Sequence, residues 1–360
     1  MHKSISILLG AGFSAPAGYP IGKVLNEKLL NITNDLISFS PDGTLVFSVN
    51  GTKPDFGYNT MYDINFEYCI ELIKHYNDKI QSFDYEEFYD YIVNDVRNDQ
   101  EAKKLAIPYS PDSDFNQLVD GLVTIYNQLV SYLLRDKKGN TWYDNQTYYI
   151  GNSYSGYTGF LRYLKSLDID TIINIHTLNH DLFFESLNNT VFLNGELCDG
   201  FEELGSPYYG EIEKDGHCYL CRLKRYVGNY NTKFRLYKLH GSLDYRVFSN
   251  LDEGVIIPEN YIKTRYGIGS MNLYKEKMNK DGKLEYENCW INYHADFLTG
   301  TTSKIERYED NLFYGKLFEK FKVNLISSDI LIIVGYGAKD EEINKMIIEC
   351  FKYKGLQDLV

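Results

Sequence analysis

Residues 5–22 read ISILLGAGFSAPAGYPIG, and this stretch decides the fold. The apolar run at 5–9 predicts a buried strand, and residues 22–30 have the spacing of a helix. Between them lies a turn of small residues that contains Gly10 and Gly12. In α/β proteins, a strand, a glycine turn and a helix in this order bring backbone N–H groups close to a phosphate.

The glycine spacing differs from that of the dinucleotide-binding fingerprint. The fingerprint is G-x-G-x-x-G, and Ala15 stands where its third glycine would be. Gly10 and Gly12 nevertheless leave no side chain between the backbone and a ligand, and glycine tolerates a positive φ. The loop alone therefore indicates a phosphate-type ligand without identifying it.

Three later segments repeat the arrangement of an apolar strand followed by polar or glycine residues. Strands are predicted at 170–176, 234–239 and 329–334. The residues that follow these strands are Asn179 with Asp181, then His240, and finally Gly335 with Tyr336. Ligands in open α/β sheets bind beyond the carboxyl ends of the strands. The four strand ends are therefore expected to form one site.

The ordered series of strand-end motifs resembles the sirtuin superfamily, and most closely the sirtuin-like NAD hydrolases of bacterial anti-phage defence. The matching motifs are Gly-Ala-Gly-x-Ser at 10–14, Gly-x-Pro at 18–20, Thr-x-Asn-x-Asp at 177–181, Leu-His-Gly at 239–241, and Gly-Tyr-Gly at 335–337 with Asp340 and Asn344. Residues 65–67 and 297–301 also look like family segments. The resemblance spans the α/β frame from end to end and leaves out the long stretches between the motifs.

The strand pattern and the resemblance predict an α/β fold with a Rossmann-like, mostly parallel sheet and helices on both faces. We expect a single sirtuin-like NAD-binding domain over residues 1–360. Helices are predicted at 158–167, leading back to the sheet, and at 341–353, after the last strand. The chain would then be one α/β domain with inserts between its motifs.

A mainly helical insertion is predicted over residues 31–155, and it is expected to close over the glycine loop. Apolar residues there have helical spacing in three stretches, 64–80, 85–105 and 114–135. Turn signals indicate β-hairpins within 37–56 and in two smaller inserts, 194–233 and 250–284.

The resemblance implies NAD as the substrate and assigns catalysis to two residues, Asn179 and His240. The Asn179 amide both donates and accepts hydrogen bonds, so it can hold water or the ribose hydroxyls without carrying charge. His240 suits the role of general base because the pKa of histidine is ordinarily about 6.5. His180 is a rival for that role, whereas His176 is expected to point into its strand and be structural. Asp181 is expected to bind the ribose or to steady Asn179.

The remaining contacts to NAD are expected from the glycine loop and the last strand end. The amides of Ala11, Gly12 and Ser14 would bind the pyrophosphate, and Gly335 and Tyr336 would lie near the adenosine half. The full set of residues expected to bind NAD is Gly10, Ala11, Gly12, Ser14, Asp181, Gly335 and Tyr336.

The chain departs from the protein deacylases of the superfamily in two places. Deacylases carry Asp-Phe-Arg after the Gly-x-Pro motif, and this chain has Ile-Gly-Lys at 21–23. Deacylases also bind a structural zinc through two Cys-x-x-Cys pairs after the His-Gly motif. Here the only such pair, Cys218 and Cys221, precedes His240. A structural zinc site needs four ligands, so no metal is expected.

Composition narrows the function classes further. The net charge of −13 argues against nonspecific binding of nucleic acid, which requires a basic surface. No apolar run is long enough to span a bilayer, and the run before Gly10 is too short for a signal peptide. Hydrophobic residues make up 44% of the chain, which is ample for a folded core. We expect a cytoplasmic protein that binds neither membrane nor nucleic acid directly.

The leading hypothesis is an NAD hydrolase that releases nicotinamide and ADP-ribose and depletes NAD in abortive infection. Such an enzyme would poison its own cell, so we expect it to be gated by assembly or by a partner protein. By analogy with the family, the chain would be a homo-oligomer paired with a HerA-type hexameric ATPase or, alternatively, with an Argonaute-like protein.

Three other functions compete with this hypothesis. They are an NAD-dependent protein deacylase, an ADP-ribosyltransferase, and a non-catalytic module that binds NAD or ADP-ribose. The lack of the zinc module in the sequence argues against the deacylase. The presence of both Asn179 and His240 argues against mere binding, which needs neither a base nor an amide that holds water. ADP-ribosyl transfer shares its first chemical step with hydrolysis and stays open.

Overall fold

The computed structural model describes residues 4–41, 43–47, 55–57, 60–110, 115–134, 156–252, 255–264, 273–288, 290–291, 295–309 and 312–353. The helices in these ranges are α1 Ala11–Ser14, α2 Gly22–Leu30, α3 Met61–Lys79, α4 Tyr85–Asp90, α5 Gln100–Ala106, α6 Phe115–Leu133, α7 Thr158–Ser166, α8 Phe183–Ser186, α9 Ser303–Glu306, α10 Tyr314–Ser327 and α11 Glu341–Tyr353. The strands are β1 Ser4–Leu9, β2 Ile37–Phe39, β3 Leu45–Phe47, β4 Ile172–Thr177, β5 Leu197–Cys198, β6 Gly200–Glu202, β7 Tyr208–Lys214, β8 His217–Arg222, β9 Lys224–Asn229, β10 Phe234–Lys238, β11 Tyr245–Asp252, β12 Val255–Lys263, β13 Leu273–Met278, β14 Leu284–Asn288, β15 Trp290–Ile291 and β16 Ile330–Val334.

A five-stranded parallel sheet in the order β16-β1-β4-β10-β5 forms the centre of the fold. Leu9 pairs with Val334 on one side and with Thr177 on the other. Thr177 pairs in turn with Lys238 on β10. Four strands therefore end at one edge of the sheet, and the predicted α/β class is confirmed.

Helices cover both faces of this sheet, which is the arrangement of a Rossmann-like fold. Ile5, Ile7 and Leu9 of β1 lie on one face and pack in a hydrophobic cluster with α7. Leu8 lies on the opposite face and packs with α10 and α11. Strands that are buried on both faces do not alternate between apolar and polar residues, which explains the apolar runs of β1, β4 and β10. The edge strand β16 differs, because Ile330 and Ile333 are exposed.

Two long helices lie between α2 and α7 in the part of the chain that the structure describes. The helices predicted over 64–80 and 114–135 correspond to α3 and α6, which share one hydrophobic cluster with α2. The hairpin predicted within 37–56 is present as β2 and β3, and residues 48–54 lie outside the described residues. No helix in the described ranges is long and apolar enough to cross a membrane.

The helix predicted over 85–105 is interrupted in the structure. Irregular helical turns at 91–98 separate α4 from α5. The Asp99 carboxylate accepts the N–H groups of Glu101 and Ala102, at 2.9 and 3.2 Å, and so starts a new helix. Apolar spacing alone predicts one continuous helix because it does not register this cap.

The second half of the chain contains more β-structure than the sequence predicts. One antiparallel sheet has the order β15-β11-β12-β9-β6, and another has the order β14-β13-β7-β8. The predicted inserts at 194–233 and 250–284 do contain hairpins. The strands of the first insert lie within its predicted bounds, whereas those around the second extend past them, because β11 begins at Tyr245 and β14 continues to Asn288. Pairing between distant strands leaves no local turn signal, so the sequence does not show the sheets.

Candidate functional site

Four segments meet where the parallel strands end. The Gly10 N–H donates to the last residue of β16 at 3.1 Å, and the Gly12 N–H donates to Gly335 O at 2.9 Å. The Leu239 N–H donates to Thr177 O at 2.9 Å and extends the pairing of β10 with β4. The structure thus brings together all four motif clusters that the sequence singles out.

Close contact between the glycine loop and the loop after β16 requires glycine at both. A Cβ added to Gly335 would lie 2.2 Å from Phe13 N, and one added to Gly10 would lie 2.7 Å from Gly335 O. Gly335 also has a φ of +65°, which disfavours other residues. Gly10 has a φ of −114°, so the positive φ that a glycine permits is not used there. The packing of the two loops therefore requires these glycines even without a ligand.

Asn179 is held by hydrogen bonds to the glycine loop. Its Nδ2 donates to Gly10 O at 3.0 Å and to Ser14 Oγ at 3.2 Å. Ser14 Oγ donates to Asp181 Oδ2 at 2.7 Å, so Asp181 reaches Asn179 through Ser14. The other Asp181 oxygen accepts the Phe183 N–H at 3.0 Å, which fixes the carboxylate. Both amide protons of Asn179 are engaged, and its Oδ1 is the atom left to accept a hydrogen bond.

His240 follows β10, and only 6% of its surface is exposed. Its Nε2 lies 3.2 Å from Tyr308 Oη and 3.5 Å from Asp340 Oδ2. Burial and the nearby Lys304 ammonium lower the pKa of His240 to about 3, and the Asp340 carboxylate opposes this effect. His240 is therefore neutral at pH 7, the state in which an imidazole can accept a proton, but its pKa lies well below the value of about 6.5 from which the role of base is expected.

Two other histidines near β4 differ in their surroundings. His176 lies between two aromatic rings, each at a centroid distance of 4.8 Å, and burial lowers its pKa to about 3. This buried position agrees with the structural role expected for His176. The ring of His180 lies against Phe297, with its centroid 6.4 Å from that of His240. Burial and the neighbouring His240 lower the pKa of His180 well below its usual value, so charge state alone does not separate the two rivals.

Several of the residues expected to bind NAD already form hydrogen bonds within the protein. The Gly12 N–H donates to Gly335 O, so a pyrophosphate would have to displace this bond in order to bind there. The Ser14 hydroxyl is engaged as well. Tyr336 Oη donates to Asn344 Oδ1 at 2.9 Å, and burial raises the pKa of Tyr336 to about 12. The expected residues thus lie at one edge of the sheet, with several of their polar atoms already paired.

Three residues around His240 carry no signal in the sequence: Tyr308, Lys304 and Glu86. Lys304 Nζ lies 2.9 Å from Asp340 Oδ2 and 3.0 Å from Glu86 Oε2. Tyr308 is one of 33 tyrosines and follows no predicted strand. Tyr308 and Lys304 are marked as part of the site by their contact in space with a motif residue, Asp340, and Glu86 is marked by its contact with Lys304.

The cysteine pair is not arranged for metal binding. Cys218 and Cys221 lie three positions apart on β8, so their side chains point to opposite faces of the sheet. Within the part of the chain that the structure describes, no group of three His, Cys, Asp or Glu side chains is placed to hold a metal ion.

A cavity of about 580 Å³ lies beside α10, and none of its lining residues belongs to the candidate site. Its charged lining residues are Lys316, Lys320, Glu259 and Glu319. Because positive and negative side chains are mixed there, the cavity does not indicate a particular ligand. The strand-end residues therefore define the candidate site.

No protein-family model matches the chain, and no curated protein matches it. The resemblance to the sirtuin superfamily therefore rests on the motifs in the sequence, and the parallel sheet establishes the fold class alone.

Proposed function

We propose that this protein is an NAD hydrolase that cleaves the bond between nicotinamide and ribose and releases nicotinamide and ADP-ribose. One observation carries the proposal. The parallel sheet brings Asn179, with its amide oxygen left as an acceptor, and the neutral His240 to the same edge as the glycine loop. Ligands of open α/β sheets bind at this edge. The order of the motifs, which resembles that of the sirtuin-like NAD hydrolases, supplies the identity of the substrate.

Hydrolysis requires little covalent chemistry from the protein. As the glycosidic C–N bond breaks, its electron pair leaves with nicotinamide, and positive charge develops on the anomeric carbon of the ribose. A water oxygen bonds to that carbon and gives up a proton. The products are neutral nicotinamide, ADP-ribose and one proton. The protein must supply a base and a group that holds the water.

Asn179 and His240 divide these two functions in our proposal. Asn179 Oδ1 accepts a hydrogen bond from the water or from a ribose hydroxyl, because the glycine loop already holds both amide protons. His240 accepts the proton that the water loses. We prefer His240 to His180 because the Asp340 carboxylate lies 3.5 Å from the His240 ring and would stabilise the imidazolium that forms.

The glycine loop and the loop after β16 would hold the rest of the dinucleotide. We assign the pyrophosphate to the amides of Ala11, Gly12 and Ser14, and the adenosine half to Gly335 and Tyr336. Binding at Gly12 would break its hydrogen bond to Gly335 O. The proposal therefore implies that the two loops separate when NAD binds.

The proposal extends to regulation of the enzyme. A cytoplasmic enzyme that depletes NAD in anti-phage defence would stay inactive until a trigger arrives. Assembly of a homo-oligomer with a HerA-type hexameric ATPase, or with an Argonaute-like protein, would provide that trigger. We interpret residues 31–155 as a mainly helical insertion into the NAD-binding domain and as the contact surface for the partner. The packing of α3 and α6 with α2 in one hydrophobic cluster supports the interpretation of these helices as one unit.

NAD consumption by the purified full chain, alone and with a candidate ATPase, tests the proposal. We expect His240→Ala to lower the rate by about 10²- to 10⁴-fold, the usual contribution of a general base. We expect a comparable loss for Asn179→Ala. His217→Ala is the matched control, because His217 is exposed on β8 and its removal should leave the rate unchanged. Full activity of His240→Ala would contradict the choice of base, and His180→Ala would then test the rival.

A further inference from the structure

A chain of buried polar side chains runs from His240 to helix α4. Tyr308 Oη lies 3.2 Å from His240 Nε2 and donates to Asp340 Oδ2 at 3.4 Å. The same Asp340 oxygen lies 3.5 Å from His240 Nε2 and 2.9 Å from Lys304 Nζ. Lys304 Nζ lies 3.0 Å from Glu86 Oε2, and Glu86 belongs to α4. The side chains of His240, Asp340 and Lys304 are each less than a tenth exposed, so little solvent weakens these contacts.

Helix α4 holds the segment that carries Lys304 and Tyr308 at two points. The first is the Glu86–Lys304 pair. The second is Asp90, which accepts backbone N–H and hydroxyl groups of residues 301–303 at 2.6 to 3.1 Å. Burial raises the pKa of Asp90, but these hydrogen bonds outweigh it and lower that pKa to about 2. Residues four apart lie on one face of a helix, so both carboxylates face the same segment.

We infer that Tyr308 and Asp340 are positioning residues that fix the His240 ring with its proton on Nε2, and that α4 holds them in place through Lys304. The inference deepens the proposed function. It rests on that function at one point, the assignment of His240 as the base. With the proton on Nε2, the lone pair is on Nδ1, and Nδ1 is the nitrogen that accepts the proton from water.

The donor and acceptor roles follow from the charges. Burial raises the pKa of Asp340, but His240 and Lys304 outweigh it and hold that pKa below its usual value. Asp340 is therefore a carboxylate that only accepts hydrogen bonds. A carboxylate is a stronger acceptor than an imidazole nitrogen, so the single proton of Tyr308 goes to Asp340. Tyr308 Oη then accepts from the group that faces it, His240 Nε2. A proton on Nε2 satisfies Tyr308 and Asp340 together.

The titratable groups around His240 come from several elements that pack on it. His180 approaches from the end of β4, Asp340 from the loop after β16, and Lys304 and Tyr308 from the segment held by α4. Burial is the largest effect that opposes a second proton on the His240 ring. Lys304 opposes that proton as well, whereas Asp340 favours it. Burial and Lys304 therefore keep the ring neutral, while the Asp340 carboxylate orients it.

The ¹⁵N spectrum of the histidine rings in the full chain, without NAD, tests the inference. The His240 signals are assigned by their loss in His240→Gln. We expect a single neutral tautomer with the proton on Nε2. Asp340→Asn and Tyr308→Phe each remove one partner with little change in shape, and we expect both tautomers to appear in each variant. A proton on Nδ1 in the wild type, or an unchanged tautomer in both variants, would overturn the inference.

The contribution of α4 is tested with Glu86→Gln, which removes the charge that holds Lys304. Glu71→Gln is the matched control, because Glu71 pairs with Lys74 at 2.8 Å on the exposed surface of α3. We expect the His240 ring signals to shift in Glu86→Gln and to stay unchanged in Glu71→Gln. Identical His240 signals in wild type and Glu86→Gln would overturn the role of α4.

Kinetics provide a second readout of positioning. Asp340→Asn should lower kcat by about 10²-fold, the lower end of a general base's contribution, with little change in the KM for NAD. A raised KM with an unchanged kcat would instead place Asp340 in substrate binding and overturn its positioning role. If the protein consumes no NAD, the proposed function fails, but the tautomer measurement still decides the inference.

Discussion

Gly335 is the position at which one added carbon would most disturb the site. A Cβ there would lie 2.2 Å from Phe13 N and 2.8 Å from Gly12 Cα, and these backbone atoms cannot move without shifting the glycine loop. The φ of +65° adds a conformational cost for any other residue. Because Gly10 O accepts from the Asn179 amide, a shift of the loop would also move Asn179.

We expect Gly335→Ala to lower the free energy of unfolding by about 1–3 kcal/mol, the usual cost of a strained backbone conformation. Gly337→Ala is the matched control, because beyond its chain neighbours no atom lies within 4 Å of the Cβ position there. The control should change the free energy of unfolding by less than about 0.5 kcal/mol. Denaturant unfolding measures both variants, and equal stabilities would contradict the close contact between the two loops.

At the scale of single residues, the sequence predicts where the site lies, but it does not predict which side chains form hydrogen bonds there. Asn179, Asp181 and His240 stand out because each follows an apolar strand, and the parallel register brings the strand ends together. Ser14 is expected to act through its backbone amide, yet its hydroxyl links Asn179 to Asp181. Tyr308 has no sequence signal at all. Such contacts join residues far apart in the chain, and only the folded structure shows them.

At the scale of elements, α4 connects the helices after α2 to the site. Its Asp90 carboxylate accepts from three consecutive residues, 301–303, and its Glu86 pairs with Lys304. Elements with a strong local pattern, such as α11 at Glu341–Tyr353, are predicted from sequence with their correct bounds. The break after α4 and the antiparallel sheets are not, because they depend on a cap and on long-range strand pairing.

Asp90→Asn should weaken the hold of α4 on residues 301–303, because an amide offers one acceptor oxygen instead of two. We expect a loss of about 1–3 kcal/mol in the free energy of unfolding at neutral pH, as for other bonds to charged groups. The exposed Asp95 supplies the control variant, Asp95→Asn, which should be neutral within about 0.5 kcal/mol. Denaturant unfolding gives both values, and a wild-type stability for Asp90→Asn would refute the role of this carboxylate.

The difference between Asp90→Asn and wild type should also depend on pH. The stabilisation by the Asp90 carboxylate is fully present above its unfolded pKa of about 3.9. It is lost as the pH falls through the folded pKa of about 2. The two proteins should therefore converge in stability under strongly acidic conditions, and a constant difference down to that pH would contradict the assignment.

At the scale of the whole molecule, three buried histidines make stability depend on pH. Burial is the largest cause that lowers the pKa of His176, His180 and His240. In the unfolded chain each has a pKa of about 6.5. Below that pH the unfolded chain binds protons that the folded protein does not bind. The folded protein therefore loses stability as the pH falls from about 6.5 toward the folded values.

In the wild-type protein, each buried histidine should lower the free energy of unfolding by about 2 kcal/mol between pH 7 and pH 5. His176→Phe should remove the contribution of one histidine. Phenylalanine suits the position, because His176 lies between two aromatic rings. His217→Phe, at an exposed position on β8, should leave the pH dependence unchanged. The free energy of unfolding at the two pH values measures the effect. A wild-type pH dependence in His176→Phe would show that this histidine is not buried in its neutral form.

The product balance of NAD turnover by the full chain most directly tests whether this molecule is an NAD hydrolase. The wild-type protein, alone or with a candidate hexameric ATPase of the kind proposed as its partner, should convert NAD into equal amounts of nicotinamide and free ADP-ribose, because water is the acceptor in the proposed reaction. Nicotinamide in excess of free ADP-ribose would indicate transfer to another acceptor. NAD that persists unchanged under both conditions would contradict hydrolysis at this site.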